Sequence, residues 1–230
     1  MKTIGLIGGM SWESTVTYYQ IMNEEVKKQM GGFHSAKILL YSVDFAEIEK
    51  CQSEGNWEES AYILAQAACN LEKAGADFIV IGTNTMHKVV PQMQRRLHIP
   101  IIHIAEATAG KLKEQHIQKV ALLGTKYTMT QDFYKDKLVE AGIHVLIPNS
   151  EDIELVNHVI YQELCLGIVS EESKMKYCGI IKKLADQGAE GVILGCTEIG
   201  LLIGQKDSVI PVFDTTQIHA QRAAELAMEE

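Results

Sequence analysis

Cys196 stands directly after a glycine that ends an apolar run, Gly191-Val-Ile-Leu-Gly195, and Thr197 and Glu198 follow it. A thiol placed where a strand gives way to a helix meets free backbone N–H groups and the positive end of the helix dipole. Both favour the thiolate and predict a lowered pKa. A thiolate can serve as nucleophile or as general base. The plainer reading of any cysteine is a small buried hydrophobe, and Cys69, inside a predicted helix, is read that way. A second stretch has the same form: Phe78-Ile-Val-Ile-Gly82 ends in a glycine and is followed by Thr83, Asn84 and Thr85. Thr83 therefore takes the place of Cys196. Threonine often ends a strand, so only this correspondence singles it out.

These residues need elements to position them. Buried apolar runs predict strands at 2–7, 36–43, 77–81 and 99–104, separated by helices after Ser11 or Ser14, over 56–74 and after Met86. The pattern then repeats, with strands at 119–125, 143–148, 191–195 and 208–213 and helices over 133–141, 156–166, 172–187 and 219–228. Three matching features recur at similar offsets: 116 residues between Gly8 and Gly124, 113 between Thr83 and Cys196, and 111 between Pro100 and Pro211. An internal duplication is the simplest cause. Strands alternating with helices predict an α/β fold of two pseudo-symmetric domains, each an open, mainly parallel sheet flanked by helices. The first domain is predicted over 1–105, completed by 209–230, and the second over 106–208. Ligands of such sheets bind beyond the carboxyl ends of the strands. The polar clusters Gly8-Gly9-Met10, Asp44, Thr83–Thr85, Thr125–Thr128, Cys196–Glu198 and Asp214–Thr216 all fall there, which places the expected site in a cleft between the domains.

Composition narrows the ligand. A net charge of −9 argues against a nucleic-acid partner. Apolar residues make up 47% of the chain and charged ones 22%, a mix suited to a globular core. No apolar run approaches the roughly 20 residues of a membrane span, and the N-terminal run is too short to read as a signal peptide. Five cysteines, an odd number without a Cys-x-x-Cys pair, predict a reducing cytoplasm and neither a disulfide framework nor a zinc site. His87, His103 and His219 lack metal-binding spacing and read as core or cleft polar residues. Gly5-Leu-Ile-Gly-Gly9 lacks the spacing of the dinucleotide fingerprint. Glu198 can tune Cys196 or cap the helix behind it, capping being preferred. Asp214 can orient a cleft group or cap the last helix. Glu58-Glu59 and Met228-Glu-Glu230 read as solvated ends.

Taken together, Ile7-Gly8-Gly9-Met10-Ser11-Trp12, Thr83-Asn84-Thr85-Met86-His87, Gly195-Cys196-Thr197-Glu198 and Phe213-Asp214-Thr215-Thr216 resemble the aspartate/glutamate racemase family, over nearly the whole chain. The resemblance implies a cofactor-independent racemase of aspartate, glutamate or another small polar amino acid, working without metal or pyridoxal phosphate. Two residues would flank the substrate Cα, Cys196 as thiolate base and Thr83 as the opposing acid or as a relay to water. The family's usual pair is two cysteines, so Thr83 is a departure, and the two directions should differ. Backbone N–H groups of Asn84, Thr85 and Thr197, with the side chains of Asn84, Thr85 and Thr128, are the expected partners of the substrate carboxylate and its enolate-like form. The family also places Met10, through its main chain, and Gln52 near the substrate, and Glu198 beside Cys196 is counted with the substrate-binding residues. Where many relatives carry a lysine, this chain has Cys165, which weakens the expectation of a strictly acidic substrate. The expected partner is a small amino acid, and a homodimer is a candidate assembly. Two rival readings keep the fold. One is a single-cysteine decarboxylase of substituted malonates, and the other is an amino-acid-binding protein with little turnover.

Overall fold

A computed structural model of the chain describes residues 1–229. It divides into two compact units, residues 1–104 with 216–230 and residues 105–215.

In the first unit, β1 (Ile4–Gly8) leads through α1 (Trp12–Met30) to β2 (Ile38–Ser42). Then follow α2 (Phe45–Ser53), α3 (Trp57–Lys73), β3 (Phe78–Ile81), a 3-10 turn over Thr85–Val89, α4 (Val90–Gln94) and β4 (Ile101–Ile102). The sheet order is β2-β1-β3-β4, all parallel. Successive strand residues face opposite sides, and both sides are covered. Ile7, Ile79 and Ile81 pack with Leu64, Ala65 and Ala68 of α3 and Met93 of α4. Ile4, Leu6, Phe78 and Val80 pack with Tyr18, Met22 and Val26 of α1. Each such aliphatic side chain contributes about 1.5–3 kcal/mol by leaving water, which explains strands that read as continuous apolar runs. Ser11 caps α1 by accepting from the Ser14 N–H, and Asn56 caps α3 in the same way.

The second unit begins with α5 (Ile104–Glu114), followed by β5 (Lys119–Gly124), α6 (Lys126–Thr130), α7 (Asp132–Glu140) and β6 (His144–Leu146). Next come α8 (Ser150–Gln162), α9 (Glu171–Asp186), β7 (Gly191–Gly195), the short α10 (Ile199–Leu202) and β8 (Val212–Asp214). The order β6-β5-β7-β8, again parallel, repeats that of the first sheet strand for strand. Ala121, Leu123, Val192 and Leu194 pack with Val156, Ile160, Ile180 and Leu184 of α8 and α9. The last helix, α11 (Thr215–Met228), brings the chain back to the first unit. There Ala220, Ala223, Ala224 and Ala227, all fully buried, let it lie close against β1 and α1.

Several elements differ from the expectation. Residues 209–215 belong with the second unit, because β8 pairs with β7. Ile104 ends no strand. It opens α5, whose Ala105, Ala107 and Ala109 favour helix. α2 is an additional helix, and its start is set by Asp44, whose carboxylate accepts from the Ala46 N–H. α8 begins at Ser150, six residues early, because Asn149 caps it through the Asp152 N–H. Glu230, read as part of a solvated end, lies outside the described residues. Among the described residues no helix is long and apolar enough to cross a membrane.

Candidate active site

The same topological event occurs in both sheets. The chain leaves the central strand on one side, to β2 or β6, and returns on the other, to β3 or β7. A crevice opens where the winding reverses, beyond the carboxyl ends of the two central strands. In the first sheet those ends carry Gly8-Gly9-Met10 and Gly82-Thr83-Asn84. In the second they carry Gly124-Thr125 and Gly195-Cys196. Of the expected site residues, Met10, Thr83, Asn84, Thr85, Cys196, Thr197 and Glu198 follow these strand ends directly, while Thr128 comes from α6 and Gln52 from α2.

Glycine is required at these ends for space. Gly9 has φ +92°, and a Cβ there would stand 2.2 Å from the Val43 carbonyl oxygen. A Cβ on Gly195 would stand 2.9 Å from the Leu123 carbonyl oxygen, with the Thr128 methyl next to it. The chain therefore turns sharply off β7 and delivers Cys196 at once.

In the first unit Met10 is buried with Ile7 and Ile48, and its peptide bond to Ser11 is cis. Gln52 is also buried, and its Nε2 donates to Met86 Sδ at 2.9 Å. Asn84 and Thr85 are buried, while Thr83 is partly exposed. The Thr83 N–H bonds the Ile81 carbonyl at 2.8 Å. Its own carbonyl oxygen accepts from Nδ1 of His87 at 2.8 Å. Behind His87 lie two more buried imidazoles, His103 with ring centroids 4.7 Å apart and His219 at 5.5 Å. His219 Nε2 donates to the Ile102 carbonyl at 2.9 Å, so Nδ1 is left as the acceptor for the Tyr18 hydroxyl, also at 2.9 Å. Burial, reinforced by His87, drives the His219 pKa down to about 3. These histidines are polar partners in the core, in keeping with their lack of metal-binding spacing.

The second unit holds the charged half. Cys196 Sγ donates to Glu198 Oε2 at 3.0 Å, and Thr197 Oγ1 donates to the same oxygen at 2.7 Å. Cys196 and Glu198 are both buried. Burial, and then the adjacent Glu198 carboxylate, push the Cys196 thiol well above its ordinary range. This reverses the expected lowering. The helix behind Cys196 has only four residues, so its dipole is weak, and the thiol's hydrogen-bond partner is a carboxylate rather than a cation. The preferred capping role for Glu198 also fails, since its side chain makes no cap hydrogen bond to α10. Thr128 is fully buried, shares its hydroxyl with Thr125 at 3.1 Å and lies against Gly195. Asp214 ends β8, with Oδ2 beside Gly200. Glu163, near Cys165, accepts from the Ser173 hydroxyl at 2.7 Å. The sequence signal that could have revealed the Cys196–Glu198 contact is their two-residue spacing, which leaves the carboxylate within reach of the thiol.

Among the described residues no group of three or more His, Cys, Asp or Glu side chains is arranged to hold a metal ion. A cavity of about 230 Å³ in the second unit, lined by Lys113, His116, Ile117 and Ile143, lies at the amino ends of β5 and β6, opposite to the switch point.

Comparison with known proteins agrees with this fold. A crystal structure from Yersinia pestis, described as a candidate Asp/Glu racemase, is 54% identical over 100% of both chains, with a TM-score of 0.94. An aspartate racemase homologue from Pyrococcus horikoshii is 40% identical over 100% of both chains, with a TM-score of 0.85. The broad specificity amino-acid racemase RacX of Bacillus subtilis is 23% identical, over 93% of this chain and 92% of its own. The sequence profile of the Asp/Glu/hydantoin racemases matches residues 7–223, and the chain belongs to that family.

Proposed function

We propose that the protein racemises aspartate, glutamate or another small polar amino acid by moving the α-proton between two protein groups, with no cofactor. The observation that carries this reading is the buried Cys196–Glu198 pair at a strand end, a thiol in hydrogen-bond contact with a group able to take its proton. An amino-acid α-proton is weakly acidic, so its removal needs a strong base in a water-poor site. A thiolate whose conjugate acid is unusually weak is such a base. In the proposed cycle Glu198 accepts the Sγ proton as substrate binds, and Cys196 thiolate removes the α-proton. Main-chain N–H groups after β3 and β7 hold the carboxylate as it becomes enolate-like. Thr83 then gives its hydroxyl proton to the other face of Cα and recovers a proton from water, and Glu198 releases the proton it took to the hydroxide so formed, which restores the starting state. Asn84, Thr85, Thr128 and Thr197, with Met10 and Gln52, form the surroundings of the bound amino acid.

The resting state of Cys196 favours a second reading. A thiol held protonated at rest can still give its proton to a strongly basic enolate, which suits decarboxylation of a substituted malonate with Cys196 protonating that enolate. A panel of amino acids and malonates incubated in deuterium oxide separates the two. Racemisation predicts α-deuterated amino acids and inversion, whereas decarboxylation predicts loss of carbon dioxide and a deuterated monoacid. Cys196→Ala should abolish α-deuteration for every amino acid, and exchange at native rates in that variant would end the proposal.

A further inference from the structure

His87 is fully buried four residues beyond Thr83, and its ring nitrogen Nδ1 lies 2.8 Å from the Thr83 carbonyl oxygen. A carbonyl can only accept, so Nδ1 carries the proton. The ring is held from behind by the tilted His103 and by His219, which is itself fixed by Tyr18 and the Ile102 carbonyl. The peptide unit joining Thr83 to Asn84 is trans and planar, so its C=O and N–H point to opposite sides. Pinning the carbonyl oxygen to His87 therefore turns the Asn84 N–H the other way, away from the imidazole cluster. The same bond restricts the Thr83 backbone from which the hydroxyl projects.

We propose that His87 is a positioning residue for this site: by holding the Thr83 carbonyl through Nδ1–H, it sets the Asn84 N–H to receive the substrate carboxylate and sets Thr83 to face Cα. This rests on the racemase reading above. The plainer alternative is that His87 is a buried histidine that satisfied one nitrogen with the nearest carbonyl. On that view any side chain that fills the space should serve, and the pairing of polar atoms should be irrelevant to turnover.

Two measurements decide between them. Long-range proton–nitrogen NMR on the native protein should show His87 as the Nδ1–H tautomer, the reverse of His219. The Nε2–H tautomer at His87 would overturn the proposal outright. The second measurement is α-deuteration and inversion of aspartate, glutamate and a panel of other small polar amino acids in deuterium oxide. The asparagine amide nitrogen reaches the place of Nδ1, whereas the glutamine amide reaches that of Nε2 and phenylalanine only fills the volume. His87→Asn should keep kcat/KM within about threefold of native, while His87→Gln and His87→Phe should lower it by about tenfold to a hundredfold, less than the roughly 10²–10³ of an oxyanion donor removed outright. The inference is overturned if His87→Phe or His87→Gln, folded by circular dichroism, keeps the native kcat/KM, or if all three variants fall alike. The two failures are distinguishable. A native protein that exchanges no α-proton sinks the racemase reading and this inference with it, whereas one that exchanges but ignores His87 sinks the inference alone.

Discussion

Replacing Glu198 by glutamine should separate the availability of the Cys196 thiolate from its usefulness. The native carboxylate lies 3.0 Å from Sγ. At that distance two unit charges repel by about 5 kcal/mol at an effective dielectric of about 20, and by about 1.4 kcal/mol even if screened as in bulk water. Each 1.4 kcal/mol is a factor of about ten in the ionised fraction. Glu198→Gln keeps the size of the side chain and an oxygen that can still accept from the thiol, but removes the charge. The thiolate fraction at pH 8 should rise at least about tenfold, and the iodoacetamide rate at Cys196 should rise with it. Peptide mapping identifies the site, and Cys69, in the other unit, serves as the internal control. Activity should move the opposite way. Without Glu198 to take and return the proton, kcat for α-deuteration should fall by about a hundredfold, within the range for loss of a general base. Faster alkylation with slower turnover is the signature. Unchanged or slower alkylation at Cys196 would refute the electrostatic reasoning, and undiminished turnover would remove Glu198 from the proposed cycle.

Other outcomes follow from the first unit. Thr83→Cys should raise inversion relative to α-deuteration without inversion, because a thiol can both lose and give a proton near neutral pH. The equilibrium between enantiomers must stay at unity, so the native asymmetry should be read in kcat and KM separately, and an unchanged ratio in the variant would count against Thr83. His219, held neutral with a pKa of about 3, makes the first unit acid-sensitive. Below about pH 6.5 the unfolded chain takes up a proton that the folded one refuses, so stability should fall by about 1.4 kcal/mol per pH unit and level off near pH 3. Trp12 and Trp57 both lie in that unit and report its urea unfolding. His219→Gln should flatten the slope, and identical slopes would show that the proton goes elsewhere.

Much of this architecture is legible in the sequence because parallel strands covered on both faces read as uninterrupted apolar runs. Phe78–Ile81 and Gly191–Gly195 are of this kind, each with its chemistry waiting just past a glycine. The duplication places Thr83 opposite Cys196 in the repeat, and the two sheet orders repeat strand for strand. α2 leaves little trace because its buried face is only Ile48, Cys51 and Gln52, too few residues to make a periodicity. α5 is hidden by Ile99–Ile104, whose aliphatic run continues past the end of β4. The thiol's electrostatics escape for a different reason. A helix N-terminus can be inferred from sequence, but the burial of the thiol and the direction of a neighbouring carboxylate cannot, and those two decide the sign. The imidazole cluster is equally out of reach, since Tyr18 and His219 meet across 201 positions of chain.

The two halves share a topology but not an electrostatic design. Around Thr83 the groups beyond the backbone are imidazoles: His87 donates to a carbonyl, and His219 is buried too deeply to charge in the physiological range. Around Cys196 there is a carboxylate in contact with a thiol, so a proton can be stored and given back there. A duplicated fold allows this because each sheet builds its own switch point from its own residues, and one strand end can change without disturbing the packing of the other. If proton storage is what makes a strand end reversible, the second half can act as base and acid in turn, while the first can only pass a proton through a hydroxyl to or from water. A thiol at position 83 alone would supply a second nucleophilic atom but no second proton store, and full symmetry would require an acid near it as well.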